Sequence, residues 1–132
     1  MTDKNIVLII EDNEIDREVL RKMLEKIMPS VEIIEVSDSS KGLTEMKNTN
    51  FFCILLDYNL PGCDGLQFMQ KLILGDYLYP PIIFLTGQDD ALLAEQAIKG
   101  GASSFIPKNL LTEELLAQTI DKATQLHKSK NS

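Results

Sequence analysis

Acidic, hydroxyl and amine side chains follow the apolar runs of this sequence, each close to the point where a run ends. In chain order they are Glu11, Asp12, Asp57, Thr86 and Lys108. Carboxylates grouped together repel one another unless they share a cation, and a hard divalent ion such as Mg²⁺ prefers oxygen ligands. A metal-held carboxylate near an ammonium and a hydroxyl is suited to accept a phosphoryl group. These residue types predict that chemistry if the fold brings them together.

The most informative of these residues is Asp57, which ends the stretch FFCILLD. The uninterrupted apolar run 51–56 is typical of a strand buried on both faces. Aspartate is a poor strand former and is costly beside a core without a partner. Asp57 is therefore either a turn cap or a charge with a use, and the neighbouring carboxylates favour a nucleophile.

Short apolar runs alternate with helical patterns along the whole chain. We predict strands at 6–10, 31–36, 51–56, 82–85 and 103–106, with helices at 14–27, 39–48, after Asp64, at about 89–99 and after Thr112. The second strand carries two glutamates and belongs at a sheet edge. This order predicts an α/β fold, a parallel sheet with right-handed crossovers and helices on both faces. In the first helix, the apolar stripe is expected at 15, 19, 23 and 27.

The carboxyl ends of parallel strands form one rim, where ligands of such sheets bind. The polar residues that end the runs should therefore share one site. Each alone is also a common turn or cap residue, and the acidic pair could simply begin a helix. Together they predict a magnesium site with Asp57 as phosphoryl acceptor, Thr86 as hydrogen-bond donor and Lys108 as cation.

Composition limits the class of protein. The 132 residues suit one domain, expected over 1–132 with its core at about 5–127. A formal net charge of −7 argues against nucleic acid or an anionic membrane as a direct ligand. No run approaches the ~18 apolar residues that cross a bilayer, and the cysteines at 53 and 63 have no metal-site spacing. We expect reduced thiols and a cytoplasmic protein.

Four segments carry a resemblance to a known family: LIIEDNEIDREVL, LLDYNLPGCDG, FLTG and GASSFIPK. They resemble, in order, the opening strand with its acidic pair, the phosphoacceptor segment, the switch-hydroxyl segment and the lysine segment of the receiver domain of two-component response regulators, of the chemotaxis-regulator kind. The match extends over nearly the whole chain. It implies a flavodoxin-like fold with five strands in the order 2-1-3-4-5. It also implies Mg²⁺-dependent transfer from a histidine kinase or histidine phosphotransfer protein to Asp57, followed by slow self-catalysed hydrolysis.

The resemblance assigns a role to each site residue. Glu11 and Asp12 would be the acidic metal pair, and Asn59 would offer its backbone carbonyl to the metal. Thr86 would be the switch hydroxyl, Phe105 the switch aromatic, and Lys108 the phosphate-binding lysine. By pattern alone Phe105 is a core residue. One departure is clear: the family usually has proline after this lysine, often through a cis bond, and here the residue is Asn109.

Other functions stay open at this point. A flavin-binding protein of this fold would need a glycine- and hydroxyl-rich phosphate cradle after the first strand, where this chain has EDNE. A haloacid-dehalogenase-type phosphatase would have its nucleophile after the first strand. The closer alternative is a pseudo-receiver, which signals without phosphorylation. We expect a single-domain regulator, rather than a piece of a larger one, that binds a downstream protein or a second copy through a face at 89–127.

Overall fold

The computed structural model describes residues 5–75, 79–87 and 91–131, with side chains described as far as 127. Expectations for residues 1–4, 89–90 and the final side chains lie outside this part. The strands are β1 (Ile6–Ile10), β2 (Glu32–Val36), β3 (Cys53–Asp57), β4 (Ile82–Thr86) and β5 (Ser104–Pro107). The helices are α1 (Glu14–Ile27), α2 (Ser39–Asn48), α3 (Gly65–Leu74), α4 (Ala91–Lys99) and α5 (Glu113–Asn131).

The five strands form one sheet in the order β2-β1-β3-β4-β5, and every neighbouring pair is parallel. This confirms the predicted fold class and strand order. The strand β2 lies at an edge, with Glu32 and Glu35 exposed. Exposed charges on an edge strand oppose pairing with another chain, which is why acidic residues are tolerated there.

Helices cover both faces of the sheet and enclose two apolar cores. One core joins Leu8, Leu56 and Phe84 of the sheet to Phe68 of α3 and Ala97 of α4. The other joins the alternate strand residues to α1 and α5: Val7, Ile9, Leu55, Leu85, Ile106, Leu20, Leu24, Leu116 and Ile120. Because both faces are buried, the central strands have no polar alternation. Their continuous apolar runs follow from this position in the fold.

The strand limits differ from the predicted ones by one or two residues, and the differences concern the site. β3 begins at Cys53 and includes Asp57, which lies opposite Leu85 of β4. β4 extends to Thr86, opposite Pro107 of β5. The ladder of hydrogen bonds continues past the last apolar residue wherever a neighbouring strand provides a partner. Asp57 and Thr86 are therefore held by the sheet itself.

The predicted apolar stripe of α1 was wrong at positions 15 and 19, whereas the side chains at 23 and 27 are partly buried and pack against the core. Ile15 and Val19 are 72% and 44% exposed, whereas Leu20 and Leu24 are buried against the sheet and α5. Both pairs are spaced four residues apart, so each forms a stripe on the helix surface. The sheet and α5 cover the stripe that contains the leucines. The exposed stripe begins at Ile15, beside the acidic residues of the site.

The helices predicted after Asp64 and Thr112 are confirmed, and both of these residues act as helix caps. Asp64 accepts a hydrogen bond from the backbone N–H of Gln67, and the Gln67 side chain accepts one from the N–H of Asp64. Thr112 accepts from the N–H of Leu115 at the start of α5. Gly101, just past α4, has φ of +113°, a conformation that strongly favours glycine. Among the described residues, we find no helix with the length and apolarity needed to cross a bilayer.

Candidate functional site

Strand register brings the carboxylates of the first and third strands together. Ile10 of β1 lies opposite Leu56 of β3, so the next residues, Glu11 and Asp57, are neighbours at the rim of the sheet. On the other side, Pro107 of β5 lies level with the end of β4. Lys108 follows directly and begins a short 3-10 helix that ends at 110. The fold thus places residues from both ends of the chain at one rim.

Three carboxylates form a cluster at this rim. Oxygen atoms of Glu11, Asp12 and Asp57 all lie within 4.8 Å of one another. Glu11 and Asp57 are buried, being 1% and 3% exposed, whereas Asp12 is exposed. The cluster is therefore buried on its inner side and exposed to solvent at Asp12, from which an ion can approach.

The Lys108 ammonium lies among these acids. Its Nζ is 2.6 Å from Oε1 of Glu11, 2.8 Å from Oδ2 of Asp16 and 3.3 Å from Oδ1 of Asp57. Burial opposes the charge on the lysine, but the hydrogen bonds to Asp16 and Glu11 outweigh it and raise the pKa of Lys108. The lysine is therefore a fixed positive charge in the site at neutral pH.

Asp57 is incompletely satisfied in this arrangement. Its Oδ1 is buried, and the described residues provide it with no hydrogen bond of acceptable geometry; the lysine at 3.3 Å is an ion-pair contact. Burial raises the pKa of Asp57, and the nearby Lys108 charge opposes that rise. A buried carboxylate oxygen without a full partner is costly. Such an atom is free to bind a cation or to form a new bond.

Glu11 has both carboxylate oxygens engaged. Oε1 accepts from Lys108, and Oε2 accepts from the backbone N–H of Asn13 at 3.1 Å. Burial nevertheless raises the pKa of Glu11 to about 7, against the lowering effect of these hydrogen bonds. Deprotonation of Glu11 is thus favoured when further positive charge enters the cluster.

Two contacts around the cluster were not predicted. The first is Arg17 of α1, whose Nη1 donates to the backbone carbonyls of Glu11 at 2.8 Å and Asp12 at 3.2 Å. Its Nε also lies 3.8 Å from Oε1 of Glu35 on the edge strand. Arg17 therefore fixes the backbone that carries the acidic pair. An arginine in the first turns of a helix, where the macrodipole disfavours cations, was the available signal.

The second unpredicted contact is the pair of Asp16 with Lys108. Asp16 lies in the first turn of α1, where an acidic side chain is expected from the helix dipole alone. Because the helix dipole already explained Asp16, no sequence pattern indicated its contact with Lys108. Only the packing of α1 on the sheet, with its first turn next to Lys108, reveals it.

The remaining predicted residues lie around the cluster in different settings. Thr86 is fully buried, and strand alternation places it on the same face as Phe84. Phe105 is half-buried and stacks on Phe84, with ring centroids 6.0 Å apart and 15° between planes. Asn59 is exposed on the loop after β3, and the contact of its carbonyl with a metal stays a prediction. Every described peptide bond is trans, including the one before Asn109.

The donor set fits a hard divalent cation. Three carboxylates within 4.8 Å provide oxygen ligands, which Mg²⁺ prefers to nitrogen or sulfur. The buried Oδ1 of Asp57 lacks a hydrogen bond among the described residues. A bound cation would satisfy that oxygen and reduce the repulsion among the acids.

A parallel five-stranded sheet in this order, with acids and a lysine at the carboxyl ends of its strands, defines a flavodoxin-like domain with an acidic rim site. Comparison with known families makes the assignment more specific. The family model described as "Response regulator receiver domain" matches residues 7–120. The chain belongs to the response regulator receiver domain family of two-component systems.

Curated relatives agree. The chain is 34% identical over 118 residues to the response regulator protein TodT of Pseudomonas putida, covering 88% of this chain and 50% of that protein. It is 30% identical over 113 residues to the cyclic di-GMP phosphodiesterase response regulator RpfG of Xanthomonas campestris pv. campestris, covering 85% of this chain and 30% of that protein. This chain thus spans half or less of the length of these two relatives.

Solved structures show the same fold. The signal receiver domain of an HD domain-containing protein from Pseudomonas fluorescens gives a TM-score of 0.85 at 19% identity, covering 99% of this chain and 94% of that one. The receiver domain of the sensor histidine kinase PA1611 from Pseudomonas aeruginosa gives 0.80 at 21% identity, covering 93% and 99%. That structure has a magnesium ion in its active-site cleft. Receiver domains are signalling domains, and the family binds Mg²⁺ in its acidic site.

Proposed function

We propose that this chain is a phosphoacceptor of a two-component phosphorelay, which takes a phosphoryl group onto Asp57 from a histidine kinase or a histidine phosphotransfer protein. The observation that carries the proposal is the state of Asp57. It is a strand-end carboxylate, 3% exposed, with Oδ1 lacking a described hydrogen bond and an ammonium 3.3 Å away. A cap residue would have its oxygens paired with backbone N–H groups.

In the transfer step, a carboxylate oxygen of Asp57 forms a bond to phosphorus while the bond between phosphorus and the donor's imidazole nitrogen breaks. The imidazole leaves with that electron pair and takes up a proton. Lys108 holds a positive charge beside the acceptor, where it can pair with phosphoryl oxygens. Thr86 would donate its hydroxyl to one of those oxygens. Water attack on phosphorus in the resulting acyl phosphate would break the bond to the carboxylate oxygen, release inorganic phosphate and restore Asp57.

The metal ligands in this proposal are the carboxylates of Glu11, Asp12 and Asp57 and the carbonyl of Asn59. When bound, Mg²⁺ supplies positive charge that offsets the charge of the phosphoryl group. Glu11 would then exchange its contact with Lys108 for the metal, directly or through water. That exchange leaves the lysine available for the phosphoryl oxygens.

The output surface in this proposal is the face formed by α4, β5 and α5, within residues 89–127. Phe105 of β5 stacks on Phe84, which lies beside Thr86 on the same strand face. A shift of the Thr86 hydroxyl toward a phosphoryl group would change the packing around both rings. Large apolar side chains of α4 are exposed on this face, including Leu92 and Ile98. They would contact a downstream protein or a second copy of the chain.

We further propose that residues 1–132 act as one domain in the cytoplasm, with no direct nucleic-acid ligand. The two core clusters involve all five strands, the described cysteines are free thiols, and the net charge is −7. The acidic charge argues against nucleic acid. These features support the proposal.

The test is intact mass spectrometry after incubation with acetyl phosphate and Mg²⁺. The wild type should gain one phosphoryl group, and Asp57→Asn should gain none. Asp38→Asn is the matched control: it makes the same chemical change at a helix N-cap, where asparagine still caps, and it should be labelled like the wild type. Full labelling of Asp57→Asn, or no labelling of the wild type, would contradict the proposal and favour a pseudo-receiver.

A further inference from the structure

The lysine of the site has one acidic partner outside the metal cluster. Asp16, on α1, accepts a hydrogen bond from the Lys108 ammonium at 2.8 Å. Glu11 accepts another at 2.6 Å, whereas Asp57 lies at 3.3 Å and has no hydrogen bond to it. The ammonium therefore lies closer to Glu11 and α1 than to the phosphoacceptor.

The geometry limits what the lysine can do in this state. An ammonium has three N–H donors, and two of them are directed to Glu11 and Asp16. These two hydrogen bonds fix the position of the ammonium, and its third donor makes no hydrogen bond to Oδ1 of Asp57, 3.3 Å away. Glu11 can be drawn to a metal, but Asp16 is not part of the carboxylate cluster. Its hold on the lysine would persist after Mg²⁺ binds.

The surroundings allow the ammonium to move. A cavity of about 90 Å³ is lined by Asp16 and Lys108 together with apolar side chains of α1, β4 and the segment before α5. Because of this space, the lysine stem is not tightly packed on its α1 side. The contact with Asp16 is then the main restraint on this movement.

We propose that Asp16 is a positioning residue that holds Lys108 away from Asp57 in the unphosphorylated protein and so weakens its engagement with the phosphoryl group. The inference rests on the proposed function, because it requires a phosphoryl group at Asp57. Asp16 sets the balance between the resting and the engaged lysine. Removing its charge shifts that balance toward engagement.

The test is titration with beryllofluoride, a non-covalent phosphoryl mimic, at saturating Mg²⁺. Asp16→Asn should bind the mimic about fivefold more tightly than the wild type, which is the size expected from losing one partly exposed ion pair. Glu14→Gln is the matched control, because it removes an exposed carboxylate from the same helical turn. It should change the affinity by much less.

Asp16→Asn combined with Lys108→Met separates the effect of the Asp16–Lys108 contact from a general effect of charge. Asp16→Asn should give no gain there. Three results would overturn this inference but not the proposed function. The first is an equal gain in beryllofluoride affinity in Glu14→Gln, and the second is a gain from Asp16→Asn that persists in Lys108→Met. The third is unchanged or weaker binding by Asp16→Asn in the otherwise wild-type protein. Failure of the wild type itself to bind the mimic would instead contradict the proposed function, and the inference with it.

Discussion

The Lys108 ammonium lies 3.3 Å from Oδ1 of Asp57, and the described residues offer that buried oxygen no hydrogen bond. The two charges are thus neighbours without being well paired. The lysine gives its shorter contacts to Glu11 and Asp16. This arrangement leaves Oδ1 of Asp57 able to bind a cation, and its consequences can be measured.

The first prediction concerns metal binding. Asp12→Ala removes an exposed carboxylate of the cluster and should weaken Mg²⁺ binding, measured by calorimetric titration. The loss should be at least that caused by removing an outer-shell partner, about 10–100-fold. Glu25→Ala, an exposed carboxylate near the other end of α1, should leave the affinity unchanged. Equal affinities in both variants would mean that the acids are only helix and turn residues.

The second prediction concerns pH. The pKa of Glu11 is raised from 4.5 to about 7 in the folded protein, so the folded state binds more protons than the unfolded state between these values. Without Mg²⁺, the free energy of unfolding should therefore fall as the pH rises from about 4.5 to 7. Asp57, whose pKa is also raised, adds to the same trend. Urea unfolding at pH 5.5 and 8 measures this change in the free energy of unfolding.

Glu11→Gln is the control for this pH dependence. It keeps a hydrogen-bonding side chain and removes the titrating group, so its stability should vary less between the two pH values. A wild type that becomes more stable as the pH rises through this range would contradict the prediction. Saturating Mg²⁺ should reduce the loss of stability of the wild type with rising pH, because a bound cation favours the charged carboxylates.

The third prediction separates metal binding from signalling at Lys108. Lys108→Ala should still bind Mg²⁺, because the carboxylate ligands remain and a competing cation is gone. It should lose the long-range NMR shifts that beryllofluoride causes in α4 and α5. Lys122→Ala, an exposed lysine of α5, serves as the control. If Lys108→Ala shows the same long-range shifts as the wild type, the lysine does not couple the site to that face.

The fourth prediction concerns Thr86 and Phe105. Thr86→Ala should leave Asp57 able to accept a phosphoryl group while weakening the response of α4 and β5. Hydrogen exchange over residues 91–107, with and without beryllofluoride, is the measurement. Thr44→Ala makes the same change at an exposed position of α2 and should respond like the wild type. Equal responses in wild type and Thr86→Ala would disprove the coupling.

The fifth prediction tests the corrected orientation of α1. Leu24→Ala empties a fully buried position and should lower the free energy of unfolding by about 2–5 kcal/mol. Val19→Ala, on the exposed stripe, should cost only about 0.5 kcal/mol or less. Urea unfolding of both variants provides the comparison. Equal losses of stability in the two variants, or a larger loss in Val19→Ala, would support the stripe predicted from the sequence instead.

The order of the elements could be predicted because strands and helices leave apolar patterns of different length and period in the sequence. Short continuous apolar runs indicated buried parallel strands, and the family segments supplied the order of those strands. The limits of β3 and β4 were less accessible. Asp57 and Thr86 extend their strands because a neighbouring strand pairs with them, and pairing is not visible in a single run of residues.

The site was predictable as a set of strand ends but not as a set of contacts. Topology alone brings Glu11, Asp57 and Lys108 to one rim. The roles of Asp16 and Arg17 depend on how α1 docks against the sheet, and two equally spaced stripes left that docking open. The same ambiguity explains why Ile15 and Val19 were assigned to the core.

The hydrogen bond between Lys108 and Glu11 joins residues 97 positions apart in the chain. During synthesis, which adds about 5–20 residues per second, the amino-terminal strands are made before the lysine. Closing such a separation also carries an entropic cost that grows with the length of the intervening chain. A nascent chain that ends before β5 would hold its acids without their ammonium. The ion pair thus makes completion of the acidic site coincide with completion of the sheet.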